Sequence, residues 1–441
     1  MSLGPTESIV DGSSWVSALT PSERATLRLP NPEHAAWEHA ARRGSARPEP
    51  SRWMVPVEEV DGLVRMPRHA PVARRHIVDR TVAPTAEALR LRVELRPYQD
   101  DAVVSWLFQG SGTVLAPCGA GKTTIGAAAI AAVGSPALIL VHTHDLAAQW
   151  RDRVRSQLGV EAGDLDHPGR VTIATVQSLA RWTGEERQAL GERYGLVILD
   201  EAHHAPATTF AAVLGDLAGR YRLGLTATPT RRDGLQSLIE WCCGPIVARI
   251  EQRDLERMGY TLTPTIEQRP TGWAATAPVA VDRQAEIEAA TARNALILDA
   301  VAALAREGRR VLLLADRVAH VEALANKLVV AGLRAAALTS RSTKRRRAEV
   351  LASMGAGGLD VLAATSLADE GLDVASLDAV VLAAPSGNPA RVQQRIGRAL
   401  RPAPGKTARI LDFVDADVWA RSAAKKRRKL YNDLGWSVTH G

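Results

Sequence analysis

Short runs of aliphatic residues recur along this chain, separated by longer Ala-rich stretches with helical spacing. From Leu89 onward the alternation is regular, and strand-like runs followed by helical stretches predict βαβ units and a parallel sheet. The first series of strands is expected at Thr113–Ala116, Ala137–His142, Val171–Thr175, Leu196–Leu199 and Arg222–Thr226. After a stretch around 261–280 containing Pro and Thr, a second series follows: Val311–Ala315, Ala335–Leu338, Val361–Ala364 and Ala379–Ala383. Two α/β domains are therefore expected, over residues 89–250 and 285–418, with 251–284 as a linker and 419–441 as a basic tail. Residues 1–88 hold no sustained period and form an accessory region of unknown fold, in which Trp15, Trp37 and Trp53 are candidates to nucleate a small core.

Composition narrows the class. The 441 residues are 46% hydrophobic, enough to fill more than one packed core. Lys and Arg number 55 against 48 Asp and Glu, a net charge of +7 that favours a polyanionic partner. The three cysteines, Cys118, Cys242 and Cys243, have no CxxC spacing and cannot supply four thiolates to zinc or an iron–sulfur cluster. That usage fits a reducing compartment. No apolar run approaches the ~20 residues of a membrane span, and no secretory pattern opens the chain, so a soluble cytoplasmic protein is expected.

The first chemistry-bearing segment is Ala116-Pro-Cys-Gly-Ala-Gly-Lys-Thr123, between an apolar strand and the helix expected over Thr124–Val133. This is the context of a phosphate-binding P-loop. Gly119 and Gly121 let the backbone wrap a phosphate, and amides at the helix start face its charge. Lys122 should reach the β and γ phosphates of ATP and Thr123 should offer its hydroxyl to Mg2+, with Pro117, Cys118, Ala120 and Thr124 completing the nucleotide cradle. Downstream, Leu196-Val-Ile-Leu-Asp-Glu-Ala-His-His204 ends an apolar strand in two carboxylates, at the sheet edge where ligands bind. Asp200 is positioned to hold Mg2+ and Glu201 to polarise the water that attacks the γ-phosphate.

The order of motifs then resembles superfamily 2 helicases, and most closely the XPB-like DEAD/DEAH-type DNA helicases, over about residues 91–415. The segments carrying the resemblance are Leu95-Arg-Pro-Tyr-Gln99, the P-loop, Thr143-His-Asp-Leu-Ala-Ala-Gln-Trp150, Ile173-Ala-Thr-Val-Gln-Ser-Leu179, Asp200-Glu-Ala-His203, Leu225-Thr-Ala-Thr-Pro229, Ala364-Thr-Ser-Leu-Ala-Asp-Glu-Gly-Leu-Asp373 and Gln393-Gln-Arg-Ile-Gly-Arg-Ala-Leu-Arg401. The resemblance implies an α/β fold of two tandem RecA-like P-loop domains with parallel sheets, and an ATP-dependent DNA helicase or translocase. DNA is a more natural partner than RNA in this series.

Several roles follow from the resemblance alone. Tyr98 and Gln99 are expected near the adenine, while His203, Thr226 and Thr228 couple the ATP state to domain closure. Thr143, Gln149, Thr175 and Thr365 are expected to contact the nucleic-acid backbone, and Gly371 and Asp373 to meet ribose. Gln394, Arg398 and Arg401 fall at spacings that place them on one helical face. In the family pattern Arg398 and Arg401 resemble arginine fingers that act on the γ-phosphate. Two further basic clusters, Arg341–Arg347 and Lys425–Lys429, are candidates for phosphate contact. After Pro229 the chain reads Thr230-Arg-Arg-Asp-Gly234 where XPB proteins carry an Arg-Glu-Asp signature, so ATP hydrolysis is the firmer expectation and duplex opening the weaker.

Overall fold

The computed structural model describes residues 7–11, 13–41, 50–61, 63–72, 76–201, 207–227, 235–277, 280–365, 376–383, 387–397 and 399–440. The chain divides into two units, one of Met1–Ala116 and Gly121–Ile250, the other of Pro117–Ala120 and Glu251–Gly441. Among the described residues no helix is long and apolar enough to cross a membrane.

In the first unit a six-stranded sheet runs Val171–Thr175, Ala137–Val141, Leu196–Asp200, Tyr221–Thr226, Ser111–Leu115, Ile246–Arg249, all parallel. Its inner strands are apolar on both faces because helices cover both sides, and every residue of Ala137–Val141 is fully buried. The P-loop strand Ser111–Leu115 and the acidic strand Leu196–Asp200 flank Tyr221–Thr226, so their carboxyl ends open on one edge of the sheet. The last strand, Ile246–Arg249, is half-exposed and falls outside the strands expected from the sequence.

Residues preceding this sheet build a structure of their own. Five strands order as Glu58–Val60, Leu63–Pro67, Ser13–Val16, Glu7–Val10 and His76–Asp79. The core beneath them is aliphatic, with Val16, Leu19, Leu27, Val64, Met66 and Val72 buried. This corrects the expectation of a tryptophan core: Trp15 and Trp37 are half-buried and Trp53 is exposed. The small sheet belongs to the first unit. Trp241 packs on its core, His69 N donates to Trp241 O at 2.7 Å, and Arg68 Nη1 donates to Gly219 O at 2.8 Å. Asp216, itself buried, pairs with Arg65 from the small sheet and with Arg187 Nε at 2.6 Å.

The second unit holds a seven-stranded parallel sheet in the order Ala335–Leu338, Val361–Ala364, Val311–Leu314, Ala379–Leu382, Arg409–Val414, Thr265–Pro270, Val438–His440. Successive residues of a strand point to opposite faces, so Leu312 and Leu314 enter one core while Val311 and Leu313 enter the other. Two expectations are corrected here. The stretch 251–284 is not a linker, because Thr265–Pro270 lies inside the sheet and is flanked by the helices Gln252–Arg257 and Ala280–Ala289. Nor is 419–441 a tail. It forms the helix Val418–Asp433 and the edge strand Val438–His440, and it buries Arg427, Tyr431 and Trp436. Polar residues hid both: Gln268 and Arg427 look solvent-bound in sequence, yet both reach the buried carboxylate of Asp412, at 2.9 Å each.

Candidate nucleotide site

The P-loop strand Ser111–Leu115 exits through Ala116, whose N donates to Thr226 O at 2.9 Å. The backbone then turns with φ +88° at Gly119 and +78° at Gly121, the left-handed region in which a side chain is strained. The helix begins at Lys122, two residues earlier than the sequence suggested, and runs to Val133 without a side-chain cap at Gly121. A Cβ at Gly121 would run into Gln99 Nε2, so the glycine is needed both for its backbone angle and for the close approach of that amide.

Gln99 is itself held. It lies in the first turn of the helix Pro97–Gln109, is buried, and its Oε1 accepts from Arg96 N at 3.0 Å. Tyr98, half-buried beside it, accepts from Arg96 Nη1 at 3.0 Å. Both residues expected near the adenine thus stand at the start of one helix, and Gln99 lies against the P-loop glycine.

Lys122, Asp200 and Glu201 converge. Lys122 Nζ donates to Ala116 O at 3.2 Å and lies 3.2 Å from Glu201 Oε1. Asp200 closes its strand, buried, and its Oδ2 accepts from Trp150 Nε1 at 2.8 Å. Its Oδ1 is buried and takes no hydrogen bond from the described residues. Burial, with the charge of Glu201 beside it, pushes the Asp200 carboxyl up to about 6, against the opposing pull of Lys122 and the Trp150 hydrogen bond. Glu201 adopts φ +54°, an uncommon angle for a residue with a side chain, and its N donates to Leu225 O at 2.9 Å. That turn brings its carboxylate back over the loop to Lys122.

Thr123 sits half-buried in the first turn of the P-loop helix, while the Thr124 hydroxyl accepts from Gln157 Nε2 at 3.1 Å. Pro117, Cys118 and Ala120 lie in the loop, and the free Cys118 thiol is half-buried. Thr226 ends the strand between the two motif-bearing strands and is buried. Thr228 and His203 lie outside the described residues.

The expected nucleic-acid contacts are scattered in role. Thr143 caps the helix His144–Leu158 by accepting from Leu146 N at 3.2 Å, and Gln149 lies half-buried on that helix. Thr175 is buried, accepting from Ser178 N at 3.1 Å at the start of the short helix Val176–Leu179. Thr365 follows the strand Val361–Ala364 in the second unit and is buried. Gly371, Asp373 and Arg398 lie outside the described residues, as does the side chain of Gln394. The helix carrying Gln394 spans Pro389–Gly397 and ends four residues before Arg401. The shared helical face expected for Gln394, Arg398 and Arg401 is therefore corrected: Arg401 is on irregular, half-buried backbone beyond the helix. Of the two basic clusters, Thr343 caps the helix Lys344–Gly355, which carries Arg345, Arg346 and Arg347 in its first turn. Lys425–Lys429 lies within a packed helix in which Arg427 is fully buried.

Sequence reasoning gave no role to Trp150 or Gln157. Both stand on the helix His144–Leu158 and reach the nucleotide site. A buried tryptophan requires an acceptor for its N–H, which was the available signal.

Residues 92–231 match the family described as "Type III restriction enzyme, res subunit", and residues 292–403 match "Helicase conserved C-terminal domain". A "Putative DNA 3'-5' helicase Rad25" of Haloarcula marismortui is 31% identical over 330 residues, covering 71% of this chain and 51% of the relative. A "DNA 3'-5' helicase XPB" of Kineococcus radiotolerans is 29% identical over 362 residues, covering 78% and 64%. The chain thus spans about half to two thirds of these curated relatives. Among solved structures, a fragment of a putative HsdR subunit of a type I restriction enzyme from Vibrio vulnificus superposes with TM-score 0.62 at 16% identity, covering 80% of this chain and 68% of that one. The DNA-bound Type ISP restriction-modification enzyme LlaBIII gives 0.60 at 14% identity, covering 79% and 31%. These structures share the fold, and with the two matched domains and the relatives above, the chain is similar to the nucleotide-using helicases of superfamily 2, their XPB-like members among them.

Proposed function

We propose that this protein is an ATP-driven DNA helicase or translocase, an ATP hydrolase that couples turnover to 3'-5' movement on DNA in the cytoplasm. The observation that carries the reading is the convergence of Lys122, Asp200 and Glu201 around a glycine-turned loop, with a buried carboxylate oxygen, Asp200 Oδ1, that the described residues leave without a hydrogen bond. Such an atom in a buried setting calls for a ligand. A metal ion accepted by Asp200 Oδ1 and the Thr123 hydroxyl fits this donor set of hard oxygens, and Mg2+ is the ion such sites hold next to phosphates.

Bound there, Mg2+ supplies charge neutralisation on the phosphate oxygens. Lys122 exchanges its contact with Glu201 for the phosphate charge, and Glu201, released, orients the attacking water. Gly119 and Gly121 allow the backbone amides to approach the phosphates, while Gln99 and Tyr98 hold the base. The relatives' printed activity supports DNA over RNA and the 3'-5' direction. Net charge of +7 supports a polyanionic track, and the three free cysteines support a reducing compartment.

The test is ATP turnover without nucleic acid and with single-stranded DNA, duplex DNA or RNA, followed by strand displacement from duplexes bearing a single 3' or 5' tail. Stimulation by DNA and displacement from the 3' tail are expected. Stimulation by RNA alone, or no turnover under any condition, overturns the reading.

A further inference from the structure

The helix His144–Leu158 touches the nucleotide site through two side chains seven residues apart, on one face. Gln157 Nε2 donates to the Thr124 hydroxyl at 3.1 Å, on the P-loop helix. Trp150 Nε1 donates to Asp200 Oδ2 at 2.8 Å, on the acidic strand. The indole is pressed firmly into place: Trp150 is buried, and a Cβ at Gly126 would come within 2.5 Å of Trp150 Cη2.

An indole N–H donates one hydrogen bond and accepts none, so it can occupy only one carboxylate oxygen. Here it takes Oδ2 and leaves Oδ1 as the oxygen without a hydrogen bond from the described residues. A carboxylate able to rotate would present either oxygen to a cation; with Oδ2 tied to a ring that cannot move, one orientation remains. We propose that Trp150 is a positioning residue for the nucleotide's metal ion, fixing the Asp200 carboxylate so that Oδ1 faces the metal. This rests on the ATPase reading above and adds to it the residue outside the P-loop and acidic strand on which metal affinity depends.

The test replaces the indole N–H by sulfur, through site-specific incorporation of benzothienylalanine at position 150, which keeps the ring's shape and removes the donor. Trp150→Phe is the simpler companion. Mn2+ binding is followed by electron paramagnetic resonance in the presence of a non-hydrolysable ATP analogue, and analogue binding is measured separately without metal. The donor-free ring is expected to weaken Mn2+ binding about tenfold, the loss typical of partners that orient a metal ligand. Analogue binding without metal should stay as in wild type, while the thermal unfolding midpoint falls, with the transition still cooperative, because a buried carboxylate oxygen loses its donor. In turnover the metal concentration for half-maximal rate should rise while the rate at saturating metal recovers. Wild-type Mn2+ affinity in the donor-free protein overturns the proposal even where the wild-type enzyme hydrolyses ATP. A wild-type protein that neither binds Mn2+ with the analogue nor turns over ATP refutes instead the reading on which it rests.

Discussion

Replacing Arg427 by alanine tests whether the last helix belongs to the core of the second unit. Arg427 Nε donates to Asp412 Oδ2 at 2.9 Å, and Nη2 lies 2.8 Å from Oδ1. Both side chains are almost wholly buried, at 1% and 0% exposure. Burial disfavours the charge on the guanidinium, yet Asp412 beside it more than offsets that and its pKa is raised. Arg427→Ala would leave a carboxylate inside the protein without its counter-charge, a loss that typically costs about 3–5 kcal/mol. Two donors remain, Gln268 Nε2 at 2.9 Å and Tyr431 Oη at 3.1 Å, so the low end is expected, about 3 kcal/mol.

The assay is urea unfolding of the full chain by circular dichroism. Combining Arg427→Met with Asp412→Asn removes both charges at nearly constant volume and should recover most of the loss, because paired burial of charge is close to neutral against apolar packing. Strictly additive losses in the double variant would deny the electrostatic coupling. A stability for Arg427→Ala within about 0.5 kcal/mol of wild type, the range of surface substitutions, would return 419–441 to the solvated tail that its composition suggests.

Lys122→Ala should lose nucleotide affinity while Glu201→Gln keeps it and stops turnover, because one removes a phosphate ligand and the other only the group that orients water; near-wild-type turnover in both, by steady-state ATPase, contradicts the site. Gly121→Ala places a side chain at φ +78° against Gln99 Nε2, a backbone strain of about 1–2 kcal/mol before the clash is counted, and should weaken nucleotide binding in a fluorescence titration; an unchanged affinity contradicts the close approach at the loop. His320, whose Nε2 lies 3.1 Å from Asn294 Oδ1, is held down to about 4 from 6.5 by burial and by the charges of Arg293 and Lys327. The unfolded chain therefore binds a proton that the folded chain refuses between those values, and stability falls as pH drops through that window, by about 2 kcal/mol from this residue at pH 5. His320→Gln should flatten the pH dependence of the urea midpoint between pH 7 and 5, and an unchanged slope counts against it.

The strands that were legible in sequence are those buried on both faces. Ala137–Val141 and Val361–Ala364 have no polar residue because helices cover both sides, and a continuous apolar run has few other readings. Thr265–Pro270 escaped because its two inward residues are Ile266 and Gln268, and a glutamine reads as exposed until a buried aspartate is found to receive it. Neither Asp412 nor Arg427 can be assigned to the interior alone, since the burial of each depends on the other.

The site divides along the same line. Lys122, Asp200 and Glu201 were legible because each is placed by its own segment: a loop after a strand, or the end of a strand. Trp150 was quoted within a motif, yet nothing local to it points to Asp200, fifty positions away in sequence. Their meeting is a product of register. Leu140 pairs with Leu199 in parallel, so Ala137–Val141 and Leu196–Asp200 end side by side, and the helix that follows the first strand packs over that strand and Val171–Thr175, from where the Trp150 side chain reaches across to Asp200. From its cap at Thr143, seven residues bring Trp150 to the second turn, at the depth where Asp200 ends its strand. Only the strand order sets that distance, and order is the quantity that hydrophobic periodicity does not contain. A donor fixed by register moves only with its helix, so the orientation of Asp200 depends on how firmly His144–Leu158 packs on the sheet and on the P-loop helix at Gly126.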